Sequence, residues 1–455
     1  MPSATAISET NVAVSKTQST DEFDIGVNER VPFFQALALG LQNIFGMAGM
    51  FVFPGLLGRA FHLPLDQMAY LYAVTFIVCG VITVFQSVFL LRLPIVQGPY
   101  AGSFAALLSI GLIKGSNLGA AYGSFCIAAL IWCLLSIPIH HVSLISFFTR
   151  YFRSPLISGG IVILVVIQMS SVSLPNWIGS PATPGFPLIS FGAGLVALLV
   201  LMMLTIWSGP RLRRFAILIA LAIGTIAFSI FKPISLQAVL TAPWFVQPRW
   251  FPFGFGLRAD YIAVFFLVLL SANMGSISLY QMVAGWSKES MPASRMSEGI
   301  FAVSLGSALA GVIGGFSTIA YPDNVGILRS TRIGSRYATL SAGLLLITFG
   351  GFIKFDFLLV LVPMPVLAAV ATLLFGIVLV HGINILVKVE WNDRSRMVAG
   401  LALLVGLSGL FVSPDVLSAM PLTFQLILKQ PIISGGLILV VLYSLLCRNR
   451  CTAAE

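Results

Sequence analysis

The stretch from Tyr321 to Arg332, YPDNVGILRSTR, decides the fold class of this chain. It places an acid, an amide, a glycine and two arginines inside a sequence that otherwise has the composition of membrane-embedded helix. Only 9% of the 455 residues are charged, whereas soluble domains carry roughly a quarter. Polar backbone and charge at membrane depth are typical of a functional site.

Apolar runs about 20 residues long recur on both sides of this stretch. Each run is long enough to cross about 30 Å of hydrocarbon as a helix, and none alternates as the strands of a membrane barrel do. The predicted fold class is therefore an all-α polytopic membrane protein in the lipid bilayer, with about 14 transmembrane segments. The predicted spans are 32–57, 67–92, 94–113, 117–138, 155–174, 186–208, 213–231, 258–285, 296–316, 318–335, 337–353, 357–386, 396–413 and 431–447.

Cations concentrate in alternate loops between these spans. The long loop at 232–258 holds only Lys232, Arg249 and Arg258, whereas the loops on the opposite side hold most of the arginines. Cation-rich loops are cytoplasmic, so we predict that both termini are cytoplasmic. The same loops explain the formal net charge of +10, and we expect no nucleic-acid partner. Residues 1–28 are predicted to be a disordered cytoplasmic tail, and 448–455 a second cytoplasmic tail.

Two spans are interrupted where helix would otherwise be continuous. The third opens with PIVQGPYAGS at 94–103, and the tenth with GGFSTIAYPDN at 314–324, before helix resumes at about Val325. Matched breaks in two halves of about seven spans indicate inverted repeats with a site near the midplane. Half-helix N-termini there would present unpaired N–H groups and partial positive charge to a small ligand. Simple proline kinks are the alternative.

The run Asn324-x-Gly326-x-x-x-x-Thr331-Arg332 resembles the signature of the nucleobase-ascorbate transporters, also called the nucleobase-cation symporter 2 or xanthine/uracil permease family. The resemblance covers residues 29–447. Further stretches in the expected order resemble the family's Gln-His pair in span one, its third-span strand with an aromatic residue, its twelfth span and its last span. These stretches are Leu41–Asn43, Gly98–Ser103, Val362–Val366 with Leu374–Gly376, and Ser434–Gly436.

This resemblance implies one transmembrane transporter domain, 29–447, with two inverted repeats of seven spans and short strands in broken spans 3 and 10. Spans 1–4 and 8–11, about 32–138 and 258–353, would form a core domain. Spans 5–7 and 12–14, about 155–231 and 357–447, would form a gate domain. The family further implies elevator-type movement of the core, usually within a homodimer in the plasma membrane.

Three departures indicate a divergent member. Asp323 stands where the family commonly has Gln or Glu, and Asn43 stands where His is usual. Span eight, SANMGSIS at 271–278, lacks the family's substrate-binding Glu and leaves either Ala272 or Gly275 at that place. Asn273 and Ser276 could offer neutral hydrogen bonds instead.

Asp323 is the only carboxylate predicted near the middle of any span, where an acid is costly and marks a functional candidate. We predict that it accepts an N–H from the substrate ring, takes part in proton coupling, or does both. The coupling ion is then H⁺, and no cofactor is expected. The alternative is a structural ion pair with Arg329 or Arg332.

The remaining candidates surround the two breaks. Asn324 can donate to and accept from the edge of a heterocycle, or cap the resumed helix. Tyr100, with Ala101 beside it, offers a ring for stacking on a base, or packs in the core. Gln42 and Asn43 either project to the same centre or form a buried amide pair between helices. The motif residues with structural roles are Gly98, which helps to interrupt the third span, Gly326, which would permit close approach, Thr331, which would cap or bond back to backbone, and Arg332.

The remaining residues argue against other classes of protein. No Walker A loop, nucleophile in a recognisable setting or metal-ligand spacing is present in the sequence, so neither an enzyme nor a metal site is expected. We predict proton-coupled symport of a nucleobase-like heterocycle, with a purine or related ring favoured over a pyrimidine because span eight carries small residues. The alternatives are an anion transporter of the sulfate-permease-like fold and a channel.

Overall fold

The computed structural model describes residues 23–447 except 46, 112–116, 138–153, 180–184 and 214, and between 414 and 430 it describes only 416, 419, 420, 424 and 428. The predicted tail 448–455 lies outside the described residues. Residues 23–28 fall within the predicted N-terminal tail, yet they are part of the folded domain. The Asp24 N–H donates to the Arg332 carbonyl (2.8 Å), and Ile25 forms a parallel bridge with Ile333.

The first half of the described chain is helical apart from one short strand. Its elements are α1 (Phe33–Phe45), α2 (Ala48–Ala60), α3 (Leu65–Val88), β1 (Gln97–Pro99), α4 (Ala101–Gly111), α5 (Leu118–Ser136), α6 (Pro155–Ser173), α7 (Pro175–Ile178), α8 (Leu188–Trp207), α9 (Pro210–Arg213), α10 (Ala216–Ser229) and α11 (Gln237–Thr241). Met47, whose ψ of 82° is not helical, separates α1 from α2. The first predicted span is therefore interrupted too, which the sequence did not reveal.

The second half contains the other strand and the remaining helices. Its elements are α12 (Ala259–Trp286), α13 (Ala293–Ile313), β2 (Thr318–Ala320), α14 (Pro322–Thr331), α15 (Arg336–Gly351), α16 (Ile353–Val360), α17 (Met364–Leu386), α18 (Asp393–Phe411) and α19 (Pro431–Leu446). In the tenth span helix resumes at Pro322 and not at about Val325, because proline suits the first helical position, where its missing N–H would be unpaired anyway. The twelfth span begins at Met364 and not at 357, because the separate helix α16 and a turn precede it.

Nine helical segments in the described part are long and apolar enough to cross a membrane. Three further apolar helices there are shorter: α4, α10 and residues 434–446 of α19. The protein is thus a mostly helical, multi-pass membrane protein. The count of about 14 spans stays a prediction.

The helices pack mainly within two sets. The first set contains α1, α2, α3, α5, α12, α13 and α15, with its most extensive packing between α3 and α15 and between α5 and α13. The second set contains α6, α8, α10, α17, α18 and α19. The sets meet where α2 packs against α17. The division into core and gate domains stays a prediction.

β1 and β2 form a buried antiparallel pair in which Gln97 lies opposite Ala320 and Pro99 opposite Thr318. The predicted short strands in the two broken spans are therefore confirmed. Because the strands run in opposite directions, α4 and α14 lead away from opposite ends of the pair. Their N-terminal ends are separated by about three strand residues, or about 10 Å. This spacing leaves room for a small ligand between two helix N-termini.

Candidate functional site

Asn324 joins three spans at the strand pair. It is fully buried in the first turn of α14, and its Nδ2 donates to Asn43 Oδ1 of α1 at 2.7 Å. Its Oδ1 accepts from the Val96 N–H, just before β1, at 3.0 Å. The N-cap of α14 is Tyr321, so the capping alternative for Asn324 is wrong, whereas the bridging alternative for Asn43 is confirmed. Among the described residues, one N–H of Asn324 has no partner and is available to a ligand.

Tyr321 ties the same helix end to α2 and covers β1. Its hydroxyl accepts from the Gly49 N–H at 3.0 Å. A Cβ placed on Gly98 would lie 2.6 Å from Tyr321 Cε2 and closer still to Cδ2. Only glycine at position 98 allows the ring to approach the strand so closely.

Tyr100 connects the start of α4 to α12. Its hydroxyl donates to Ser271 Oγ at 2.8 Å, and its N–H donates to the Ser317 carbonyl at 2.8 Å. Ser103 Oγ donates to the Tyr100 carbonyl and accepts from the Ser317 N–H, which links both broken spans. Tyr100 and Ala101 are only partly buried, so part of the ring remains accessible for stacking.

Two further predicted residues lie on α12 and differ in what they already contact. Ser276 Oγ accepts from the Ala320 N–H at 3.1 Å and is therefore engaged with β2. Asn273 is 1% exposed, and neither Oδ1 nor Nδ2 has a partner among the described residues. On α1, Gln42 Oε1 is likewise buried and has no hydrogen-bond partner among the described residues. An unsatisfied buried group costs about 1–3 kcal/mol, so Asn273 and Gln42 are the side chains here with most to gain from a ligand or water.

A buried pair of glutamines lies beside β1, and the sequence analysis assigned it no role. Gln97 Nε2 donates to Gln86 Oε1, and the Gln97 N–H donates to Thr83 Oγ1 at 2.9 Å. All three residues are fully buried, and Gln86 Nε2 and Gln97 Oε1 have no partner among the described residues. The signal was available, because Gln86 interrupts an apolar run and Gln97 lies inside the third-span break.

The C-terminal residues of the motif lie away from the strands. Arg332 follows α14, which is about 15 Å long at 1.5 Å per residue. It adopts a left-handed conformation (φ 55°) and pairs with Asp24 at 3.4 Å in an exposed setting. Thr331 Oγ1 donates back to the Ile327 carbonyl at 2.9 Å, the second of its two predicted roles. Thr331 and Arg332 therefore complete the end of α14.

For Asp323 and Gly326, the structure describes only their positions in the backbone of α14. The Asp323 backbone is in the first turn of this helix, next to Asn324. The predicted roles of Asp323 and Gly326 stay predictions, as does the ion-pair alternative.

Two half-helices begin at a buried strand pair, and amide and hydroxyl groups converge there from four spans. This arrangement defines a membrane transporter of the broken-helix class. A family model for xanthine and uracil permeases, described as the permease family, matches residues 34–414. The chain belongs to this family, whose members are permeases and not enzymes.

Curated relatives match nearly the whole chain. The nucleobase transporter PlUacP of Paenibacillus larvae is 25% identical over 422 residues, covering 90% of this chain and 94% of that protein. The xanthine permease of Bacillus subtilis is 26% identical over 420 residues, covering 90% and 93%. The uric acid permease PucK of Bacillus subtilis is 26% identical over 426 residues, covering 90% and 95%.

Solved structures share the fold at low identity. The transmembrane domain of the cyanobacterial bicarbonate transporter BicA superposes with a TM-score of 0.57 and 13% identity, covering 92% of this chain and 99% of that one. SLC26A9 gives a TM-score of 0.57 and 11% identity, covering 91% of this chain and 66% of that one. At these identities the likeness concerns the fold alone.

Proposed function

We propose that this protein is a secondary active transporter of the plasma membrane that moves a nucleobase-like heterocycle by symport with a proton. A purine or related ring is the favoured cargo. The observation that carries the proposal is the strand pair, where Asn324, Tyr100 and Asn273 offer amide and hydroxyl groups and a ring within a buried site. The relatives include nucleobase, xanthine and uric acid transporters, which supports the same cargo class.

The binding chemistry follows from the groups that remain free. A purine edge alternates N–H and C=O groups, which the free N–H of Asn324 and the amide of Asn273 can match. Stacking of a base on Tyr100 would contribute about 1–3 kcal/mol. Asp323, at the N-terminal end of α14, would accept a ring N–H and exchange the coupled proton.

An elevator movement of the core against the gate would carry this site across the membrane. The two sets of helices support the idea, because each packs mainly within itself and the sets meet at α2 and α17. The remaining proposals are the arrangement of spans 1–4 and 8–11 against spans 5–7 and 12–14, two inverted repeats of seven, cytoplasmic termini and a homodimer. An anion cargo is not favoured, since the likeness to the bicarbonate transporter concerns the fold alone.

The test is uptake of radiolabelled xanthine, uric acid, hypoxanthine, guanine, adenine and uracil by transporter-deficient cells expressing the chain, at two pH values. We expect saturable uptake of at least one purine that is stronger at acid pH, because a lower pH supplies the coupled proton, and lost in Asp323→Asn. Asp393→Asn, which alters a 97% exposed carboxylate, is the matched control and should leave uptake unchanged. Non-saturating flux would instead indicate a channel. Absence of all base uptake with protein present at the membrane would refute the cargo.

A further inference from the structure

Asp356 is a carboxylate buried far from the strand pair. It lies on α16, the short helix between α15 and α17, and is 0% exposed. Neither of its oxygens has a hydrogen-bond partner among the described residues. A buried carboxylate without hydrogen bonds or a paired cation is strongly unfavourable, whereas its neutral form is tolerated. In the conformation described, Asp356 therefore holds a proton.

Arg59, in the last turn of α2, is hydrogen-bonded to backbone carbonyls close in sequence to Asp356. Its Nη2 donates to the Val360 carbonyl at 2.8 Å and also to the Val362 carbonyl. These carbonyls lie at the C-terminal end of α16 and in the turn before α17, where the helix dipole attracts a cation. Its Nε is buried and has no partner among the described residues. The guanidinium thus retains a donor that a carboxylate could accept.

Asp356 and Val360, whose carbonyl accepts from Arg59, are one helical turn apart. Asp356 and Val360 are four residues apart on α16, so they share a face and are separated by about 6 Å along the axis. Tyr72 of α3 interacts electrostatically with both Arg59 and Asp356, which places both groups near one buried ring. Movement of one helix past another by one turn is a known form of protein switching.

Arg59 lies where the two sets of helices are in close contact. A Cβ on Gly55, one turn before Arg59, would lie 2.7 Å from Leu367 Cδ1 of α17 and would also overlap the Tyr72 hydroxyl. Any movement of α17 relative to α2 must therefore alter the contacts at this end of α2. The two carbonyls that Arg59 binds lie at the end of α16, which packs on α3, and in the turn that leads into α17, so a movement of α17 acts on the segment that carries them.

Space for water lies next to Asp356. Ile353 and Phe357, on either side of it along α16, line a cavity of about 350 Å³. This volume is large enough for several water molecules. The polar side chains that line the same cavity include Asp66, Gln67 and Arg249. Asp356 itself does not line the cavity, so its proton reaches this water only when the packing around α16 opens, at the extracellular end in the proposed orientation.

The other charged group of α16 is engaged elsewhere. Lys354 Nζ donates to the Leu240 carbonyl at 3.2 Å and lies 4.3 Å from the centre of the Trp244 ring, in an exposed setting. The titratable groups on α16 and on the elements packed around it include Lys354, Arg59, Asp66, Tyr70, Tyr72, Cys79 and Arg249, whereas Arg336 and Tyr337 lie at the distant N-terminal end of α15. Among the groups at the Asp356 end, Arg59 has both the charge to pair with Asp356 and a donor without a partner among the described residues.

We propose that Asp356 is a second proton-binding site, separate from the strand pair, and that Arg59 controls its occupancy. With Arg59 on the carbonyls of Val360 and Val362, Asp356 is protonated. When α17 moves relative to α2, Arg59 exchanges these carbonyls for Asp356, whose proton passes to water in the adjacent cavity. The guanidinium stays cationic throughout, so the charge of the pair changes from +1 to 0. The inference rests on the proposed transport function, because it requires the two sets of helices to move.

Infrared difference spectroscopy of the full-length protein in lipid nanodiscs, without cargo, tests the site directly. The measurement is made in an Asp323→Asn background, which removes the other proposed proton carrier. We expect there a protonated-carboxyl band that disappears as pH rises and is absent once Asp356→Asn is added. Arg59→Gln removes the cation that stabilises the carboxylate, so the midpoint of this band should rise by about one pH unit or more. Arg59→Lys retains the charge and should leave the midpoint near that of the unaltered protein. Asp393→Asn should leave the band unchanged.

Hydrogen exchange of residues 353–363 tests the coupling to movement. After correction for intrinsic pH dependence, exchange in this segment should increase as pH rises, because Arg59 leaves the two carbonyls, and the increase should be lost in Asp356→Asn. In the Asp323→Asn background, a band that persists after Asp356→Asn is added, or a midpoint that does not change in Arg59→Gln, would overturn the proposal. Neither measurement uses a nucleobase, so both remain decisive even if the uptake experiment refutes the proposed cargo.

Discussion

Asn324→Ala should destabilise the protein more than Asn43→Ala, because Asn324 satisfies two buried groups. Its loss leaves the Val96 N–H and Asn43 Oδ1 unpaired, at about 1–3 kcal/mol each and about 2–6 kcal/mol together. Asn43→Ala leaves only an N–H of Asn324 newly unpaired, at about 1–3 kcal/mol. The double variant leaves only the Val96 N–H unpaired, so the two effects should not add.

Thermal unfolding of the purified protein in detergent measures these differences. Unfolding entropy is about 2.1 cal/mol/K per residue, or about 1 kcal/mol/K for 455 residues. The Tm should therefore fall by about 2–6 °C in Asn324→Ala and about 1–3 °C in Asn43→Ala. Gln237→Ala, which removes an exposed amide, is the control. A double variant whose loss equals the sum of the single losses would show that Asn43 and Asn324 do not form the pair described.

Three further outcomes follow from the site. Gly98→Ala should reduce uptake about 5- to 150-fold, because its methyl group displaces the Tyr321 ring at a cost of about 1–3 kcal/mol, whereas Gly192→Ala, with open space around its Cβ, should not. Tyr100→Phe should raise the KM for uptake about 2- to 10-fold through one lost hydrogen bond, and Tyr100→Leu should raise it further through lost stacking. Arg332→Gln should change uptake and Tm little, because its ion pair is exposed and worth at most about 1 kcal/mol.

The sequence predicted the parts of the fold that depend on local composition. The apolar runs mark helices, and proline with glycine marks the breaks at 94–103 and 314–324, which the structure confirms as strands. The non-helical Met47 was missed, because the residues around it are apolar and neither proline nor polar residues mark a boundary there. Helix α16 was merged with the twelfth span although Pro363 marks the boundary, because residues 357–362 before that proline are continuously apolar.

The sequence predicted which residues belong to the site but not which of them contact one another. Asn324 was identified from the motif and Asn43 from the resemblance in span one. Their hydrogen bond depends on packing between residues 281 positions apart, which no local pattern encodes. Asp356 lies between the predicted spans 337–353 and 357–386. Its burial was not predicted, because it depends on how α3 and α2 pack against α16. Ser271 was likewise unrecognised as the partner of the Tyr100 hydroxyl.

The pairing of Gln97 with Ala320 also bears on how the protein is made. About 220 residues separate these two positions, and ribosomes add about 5–20 residues each second. The first strand therefore waits about 10–45 s in the membrane before its partner is synthesised. During that interval its backbone groups have no strand to pair with, and each costs several kcal/mol in hydrocarbon. The insertion machinery must shelter this segment until the second half arrives, so translation speed through residues 100–320 becomes a determinant of yield.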